Sequence, residues 1–95
     1  MIGVAKQKVP GGKLVCVKVD YSPERIQSVE ITGDFFLYPE DSLLAIERAL
    51  CNSAINLSEK QVSDMIEKII KDEKADLIGV TPDAIASAMK QAIKR

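Results

Sequence analysis

The chain is organised around Gly33-Asp34-Phe35-Phe36-Leu37-Tyr38-Pro39-Glu40-Asp41. This stretch holds three of the four aromatic residues of the sequence, together with a glycine, a proline and three carboxylates. Before it, apolar residues alternate as they do in β-strands, and after it they recur with helical spacing. We therefore interpret residues 33–41 as the joint between a small sheet and its covering helices, and as the contact surface for a partner protein.

The residues before this joint predict three strands. Residues 4–9 give a weak strand pattern, whereas residues 13–20 and 25–32 alternate strongly. The side chains expected to face the core are Val15, Val17, Val19, Gln27, Val29 and Ile31. Pro10-Gly11-Gly12 predicts the first turn, because proline cannot continue a ladder and glycine accepts a positive φ. Gly33 is expected to mark a bulge or bend, after which Phe35–Leu37 continue the strand briefly.

The residues after the joint predict helices. Pro39-Glu40-Asp41 has the composition of a helix start, since proline suits the first helical position and early carboxylates complement the helix dipole. Ser58 and Gln61 form a capping box before the clearest amphipathic stripe of the chain. Residues 74–79 are interpreted as a connector. Thr81-Pro82-Asp83 caps a last helix, whose C-terminal end carries Lys94 and Arg95.

Strands followed by helices indicate an α+β fold, in which a three-stranded antiparallel sheet is followed by about three helices packed on it. The 95 residues are expected to form a single domain, residues 1–95. The formal net charge of -1 argues against a general nucleic-acid binder. The sequence lacks an 18-residue apolar run and an apolar signal-peptide core, so we expect no membrane span and a cytoplasmic protein.

The composition limits the chemistry of the chain. Histidine is absent, which removes the commonest general base and metal ligand and excludes a self-contained Ser-His-Asp or Cys-His enzyme. Cys16 and Cys51 are far apart and lie in no ligand spacing, so we interpret them as reduced, partly buried thiols. No metal site is expected at the carboxylates Asp34, Glu40 and Asp41, because neither histidine nor cysteine lies beside them.

Two local features remain open to a structural and a functional interpretation. Lys13 is either a solvated turn lysine or part of a locally basic N-terminal region, with Lys6, Lys8 and Lys18, that approaches a phosphate or an acidic partner. Phe35 and Phe36 are adjacent and point to opposite faces in extended backbone. Either both pack in the core, or one enters it while the other is covered by a helix or by a partner protein.

Asp34 allows the same two interpretations. Because it follows a glycine at the bend, its carboxylate is expected to bond nearby backbone amides. Functionally, it is expected to hold a loop of the partner in register.

Several motifs together resemble the C-terminal accessory domain of lipoate-protein ligase. They are Pro10-Gly11-Gly12-Lys13-Leu14, Val15-x-Val17-x-Val19-Asp20, Ile26-x-x-Val29-x-Ile31-x-Gly33-Asp34-Phe35-Phe36, Pro39-Glu40-Asp41 and Ile46-Glu47-x-x-Leu50. The resemblance covers nearly the whole chain and is most specific over residues 10–50. The methionine start and the length suggest a separately made small subunit, as in the split enzymes of archaea.

The resemblance implies a non-catalytic subunit that forms a heterodimer with a catalytic subunit. The complex would use ATP, Mg and lipoate to form lipoyl-AMP, and would then transfer the lipoyl group to a lysine of an acceptor such as the H protein or an E2 subunit. No catalytic residue of the family maps onto this chain, so the chain is not expected to be active alone. The residues expected at the partner interface are Lys13, Gly33, Asp34, Phe35, Phe36 and Tyr38.

The fold of this accessory domain is similar to that of sulfur-acceptor and iron–sulfur scaffold proteins, which supplies an alternative function. Two distant cysteines do not suit a cluster, which needs about three clustered thiolates. For a sulfur carrier, only Cys51 is a plausible reactive thiol. A protein-interaction module unrelated to lipoate is a further alternative, and it predicts stable folding alone with no effect on lipoate adenylation.

Overall fold

The computed structural model describes residues 1–9, 11–51, 53 and 55–93. In chain order the elements are β1 (Ile2–Lys8), β2 (Leu14–Tyr21), β3 (Ile26–Gly33), β4 (Phe36–Tyr38), α1 (Asp41–Leu50), α2 (Glu59–Asp72), β5 (Asp76–Ile78) and α3 (Pro82–Ala92). The predicted α+β class, with an antiparallel β1-β2-β3 sheet and three helices, is confirmed. Pro10 of the predicted first turn, and Lys94 and Arg95 of the predicted last helix end, lie outside the described residues.

The central strand β2 follows its predicted alternation. Val15, Val17 and Val19 are fully buried. The expectation for Gln27 was wrong, because its side chain is exposed. The register between β2 and β3 shifts at their far end, where Asp20 lies opposite Ser28 but Tyr21 lies opposite Ile26. Gln27 is thus the extra residue of a bulge, and buried Ile26 takes the core position in its place.

The expectation that Phe35–Leu37 continue β3 was wrong, because β3 ends at Gly33 and Phe36–Tyr38 form a separate strand, β4. Gly33 has φ +152°, a value that favours glycine, and the chain turns away there. Strand β4 pairs instead with β5 in a second, two-stranded antiparallel sheet, which we call the ribbon. The predicted connector 74–79 therefore contains a strand. Three residues are too short a run for periodicity to separate a strand from a loop.

The helix starts are formed largely as predicted. The Ser58 hydroxyl accepts from the Gln61 backbone N–H, and the Gln61 side chain accepts from the Ser58 N–H, which completes the capping box. The Thr81 hydroxyl accepts from the Ala84 N–H, with Pro82 at the first helical position. Pro39 does not hold that position in α1, because the helix begins only at Asp41 after the cap residue Glu40.

The helices form one layer on the inner face of the three-stranded sheet. Helix α1 packs on β3, α3 packs on β1 and β2, and α2 contacts both of the other helices. Gly3 lets α3 approach β1, because an added Cβ there would overlap the Ala92 carbonyl oxygen. The Ser63 hydroxyl donates to the Asp83 carboxylate and links α2 to α3. The fully buried large side chains are Val15, Val17, Val19, Ile26, Ile31, Ile46, Leu50, Val62, Ile66, Ile85 and Met89.

Candidate functional site

The two adjacent phenylalanines occupy different environments. Phe35 is half-buried and packs against the core, whereas Phe36 is 74% exposed. Leu37, the next residue, returns to the core and is 9% exposed. The interpretation in which both phenylalanines pack in the core was therefore wrong. One enters the interior, and the other extends from β4 into solvent.

Phe36 belongs to an exposed apolar face of the ribbon. In the register between β4 and β5, Phe36 lies opposite Ile78 and Tyr38 lies opposite Asp76, so these side chains share one face. Tyr38 is 72% exposed and Ile78 is 61% exposed. We call Phe36, Tyr38 and Ile78 the ribbon face. Three large apolar side chains exposed together are typical of a protein-interaction surface.

A groove of about 450 Å³ adjoins the ribbon face. It lies between the end of β3, strand β4 and the start of α1, and its lining residues are Ile31, Thr32, Gly33, Phe35, Phe36, Leu37, Glu40 and Leu43. Most of these side chains are apolar, and Glu40 supplies the only charge. Phe36 belongs to both the groove and the ribbon face, so the two form one continuous surface.

The floor of the groove is the outer edge of β3. The Ile31 N–H donates to the Glu47 carboxylate of α1 at 2.8 Å and therefore points away from β2. The Asp34 N–H points the other way and donates to the Leu14 carbonyl at 3.1 Å. Because N–H groups alternate in direction along a strand, the Gly33 N–H points outward like that of Ile31. Helix α1 thus covers one amide of this edge and leaves the next one in the groove.

Glu40 is the charged residue among those that line the groove, and no lysine or arginine is among them. Asp34 and Asp41, the chain neighbours of the lining residues Gly33 and Glu40, are also exposed. The Asp34 carboxylate makes no hydrogen bond to any residue within the described ranges, so the expected side-chain bonds at the bend are not formed there. Asp34 is held by its backbone N–H, and its carboxylate remains available in solvent.

Lys13 lies beside this surface although it is distant in sequence. Its backbone N–H donates to the Gly79 carbonyl at 2.9 Å, which ties the turn before β2 to the end of β5. A Cβ placed on Gly79 would lie 2.8 Å from the Lys13 side chain and 3.4 Å from Phe35. The missing side chain at Gly79 therefore lets the lysine stem pack next to the ribbon. The structure brings Lys13 together with residues 33–38, while its role at an interface stays a prediction.

The other lysines of the basic N-terminal region lie elsewhere. Lys6, Lys8 and Lys18 are exposed on the outer face of the sheet, where Lys6 pairs with Cys16 and Lys18 with Val4. Lys13 is thus separated from this group by its position in the turn.

Both cysteines are free and half-buried. The Cys51 thiol donates to the Gln27 carbonyl at 2.9 Å.

Within residues 1–9, 11–51, 53 and 55–93, histidine, cysteine and acidic side chains form no group of three or more that could hold a metal ion. No helix in the same part of the chain has the length and apolar character needed to cross a bilayer.

Sequence reasoning missed several residues of this surface. Ile78 and Gly79 were assigned to a connector, Glu47 was named only within a motif of the resemblance, and Leu43 was not expected at the surface. A glycine directly after the apolar pair Leu77-Ile78 was the available signal for a strand end with a close approach. The bond between Glu47 and Ile31 has no local signal, because it joins residues that meet only when α1 packs on β3.

Comparison with known proteins supports the resemblance seen in the sequence. No protein-family profile matches the chain. It is 31% identical over 77 residues to lipoate-protein ligase A subunit 2 of Thermoplasma acidophilum, across 81% of this chain and 77% of the relative. The fold matches, with a TM-score of 0.77, a chain from a structural study of a bipartite lipoate-protein ligase and its E2 lipoyl domain from that archaeon. That match is 29% identical in sequence and covers 94% of each chain.

Proposed function

The chain belongs to the lipoate-protein ligase family, as a small second subunit, and we propose that it is the accessory subunit of a two-chain ligase. The whole chain, residues 1–95, would act as one accessory domain that forms a heterodimer with a separate catalytic subunit in the cytoplasm. The observation that carries this proposal is the 31% identity to a ligase subunit 2 across 81% of the chain. The absence of histidine, which leaves no self-contained hydrolytic triad, agrees with a role that is not catalytic.

In this proposal the catalytic subunit binds lipoate, ATP and Mg²⁺ and forms lipoyl-AMP and pyrophosphate. The lipoyl group then passes to a lysine of an acceptor, such as an E2 lipoyl domain or the H protein. The accessory subunit contributes to the first step by docking on the catalytic subunit and ordering it over its two substrates. Closure of this kind excludes water and aligns the reacting groups, which is how lids accelerate activation steps.

The surface proposed for docking is the ribbon face with its neighbours Lys13, Gly33, Asp34 and Phe35. Burial of the ribbon face by a partner would remove apolar side chains from water, and each Å² of apolar area contributes roughly 25 cal/mol. Phe36 is the proposed anchor, since aromatic residues at the centre of an interface provide much of the binding energy. Lys13 and Asp34 add charges of opposite sign at the rim, which orient the partner more than they stabilise the complex.

The test of this proposal is lipoate activation with and without the chain. Pyrophosphate release would be followed for the purified catalytic subunit with lipoate, ATP and Mg²⁺, alone and with a stoichiometric amount of this protein. We expect release to require both proteins, and the accessory chain alone to release none. Equal release by the catalytic subunit in the absence of the chain would contradict the proposed role.

A further inference from the structure

We propose that the groove binds an extended segment of the catalytic subunit, which pairs with the outer edge of β3 at Ile31–Gly33. The segment carries an aliphatic side chain that enters the groove and a lysine or arginine that meets the Glu40 carboxylate. This inference rests on the proposed function, which supplies the partner. It adds the mode of docking and the chemistry of the contacting segment.

The first support is the backbone at the groove floor. The Glu47 carboxylate of α1 accepts a hydrogen bond from the Ile31 N–H and therefore covers this N–H of the edge. Because backbone groups alternate in direction along a strand, the Ile31 carbonyl and the Gly33 N–H also point away from β2, on the side of the groove. An acceptor and a donor two residues apart on one strand edge match the hydrogen-bonding groups of one residue in an added strand.

The second support is the shape of the walls. Leu43 of α1 lines the groove together with Phe35 and Phe36. Since alternate side chains of a strand point to one face, an added strand would place one side chain between these walls and the next toward solvent. Phe36 is 74% exposed, so a partner that covers it gains apolar contact without displacing any part of this chain.

The third support is charge, which selects between two kinds of occupant. A groove of about 450 Å³ lies in the size range of small-molecule sites. Lipoate and ATP are both anionic, however, and Glu40 in the lining would repel them. A peptide segment with a cationic side chain meets the Glu40 carboxylate favourably. The charge therefore favours a basic, extended segment of a protein.

The backbone pairing can be tested directly by amide exchange in the intact proteins. The ¹⁵N-labelled chain would be studied by NMR, alone and with a saturating amount of the unlabelled catalytic subunit. We expect exchange of the Gly33 amide to slow at least about tenfold in the complex. The Lys68 amide, on the outer face of α2, serves as the control and should exchange at the same rate in both samples.

The outcomes of this experiment separate the two proposals. A complex that activates lipoate but leaves the Gly33 exchange rate unchanged would overturn the strand pairing and leave the accessory function intact. Absence of any complex would overturn both. A further sample with lipoate and ATP but no catalytic subunit tests the small-molecule occupant. Perturbation of the Gly33 and Leu43 signals there would assign the groove to a ligand and overturn the proposal.

Charge reversal at the rim tests the chemistry of the segment. Glu40→Lys is expected to raise the dissociation constant for the catalytic subunit at least about tenfold at low salt, and by a smaller factor as salt screens the repulsion. Glu67→Lys, an equal change at an exposed position of α2, is the matched control and should leave the constant unchanged. Equal effects of the two variants would overturn the assignment of a basic segment to this rim.

Discussion

The two edges of the three-stranded sheet differ in cover and in charge. Along β1, the side chains that point away from the helix layer are Ile2, Val4, Lys6 and Lys8, and each is exposed. Along β3, α1 packs against the strand, Glu47 binds the Ile31 N–H, and the ribbon begins just beyond Gly33. The first edge is basic and open, whereas the second is acidic, largely covered and ends in a groove.

This difference indicates how each edge avoids non-specific pairing. Lysines on an edge strand oppose the approach of another strand, because a second chain must desolvate or displace them. Strand β3 lacks such lysines, and on its edge the Ile31 N–H is bonded to Glu47 of α1. We therefore propose that docking occurs at the β3 edge and that the β1 edge remains exposed to solvent.

The largest effect on stability is expected at Gly33, which ends β3. Gly33→Ala should destabilise the protein by about 1–3 kcal/mol through overlap of the new Cβ with the Leu14 carbonyl, with a further cost from the positive φ. Gly11→Ala is the control, because Gly11 also has a positive φ but nothing lies within 4 Å of the added Cβ. Urea unfolding of both variants measures the difference. If both variants lose the same free energy of unfolding, the close approach of Gly33 to the Leu14 carbonyl does not determine the shape of the groove floor.

A smaller loss of stability is expected at Glu47, the side chain that covers the β3 edge. Glu47→Ala leaves the Ile31 N–H without its acceptor and should cost about 1–2 kcal/mol. The matched control is Glu67→Ala on the exposed face of α2, which should change stability by less than about 0.5 kcal/mol. Thermal or urea unfolding of the two variants provides the comparison. If the two variants are equally stable, the hydrogen bond from Ile31 to Glu47 does not contribute to the stability of the protein.

The smallest effects are expected from the exposed charges Asp34 and Lys13. Asp34→Ala and Lys13→Ala should each weaken association with the catalytic subunit by no more than about fivefold, the equivalent of ~1 kcal/mol. The change should appear mainly in the association rate and should diminish at high salt. Lys8→Ala on the β1 edge should have no effect. Surface plasmon resonance at two ionic strengths measures these rates, and a larger effect of Lys8 would assign docking to the other edge.

The three-stranded sheet could be predicted because its signals are local. Alternating Val15, Val17 and Val19 identify the buried face of β2, and the capping box at Ser58 identifies the start of α2. The bulge that exposes Gln27 could not be predicted, because alternation alone does not locate an extra residue in a strand pair.

The groove and the ribbon depend on contacts between distant parts of the chain. Strands β4 and β5 are separated by α1 and α2, so neither strand reveals its partner in sequence. The exposed position of Phe36 follows from that pairing, since the ribbon register decides which phenylalanine faces solvent. Sequence reasoning predicted a partner interface at residues 33–38 and Lys13, and the structure places these residues close together. It did not identify Ile78, Glu47 or Leu43, which give that surface its shape.

The central claim is that the catalytic subunit docks at the ribbon face and groove, and a titration with two matched variants tests it most directly. Pyrophosphate release by the catalytic subunit would be measured against increasing amounts of wild type, Phe36→Ala and Val4→Ala. Both changes truncate exposed apolar side chains, 74% and 55% exposed, so both variants should remain folded. Thermal unfolding of each variant provides the check.

We expect Phe36→Ala to raise the concentration of this chain that gives half-maximal pyrophosphate release by at least about tenfold. An effect of that size is typical of the loss of a central aromatic contact. Val4→Ala should follow the wild-type curve. The reverse result, with Val4→Ala shifted and Phe36→Ala unchanged, would place the catalytic subunit on the β1 edge and contradict the account.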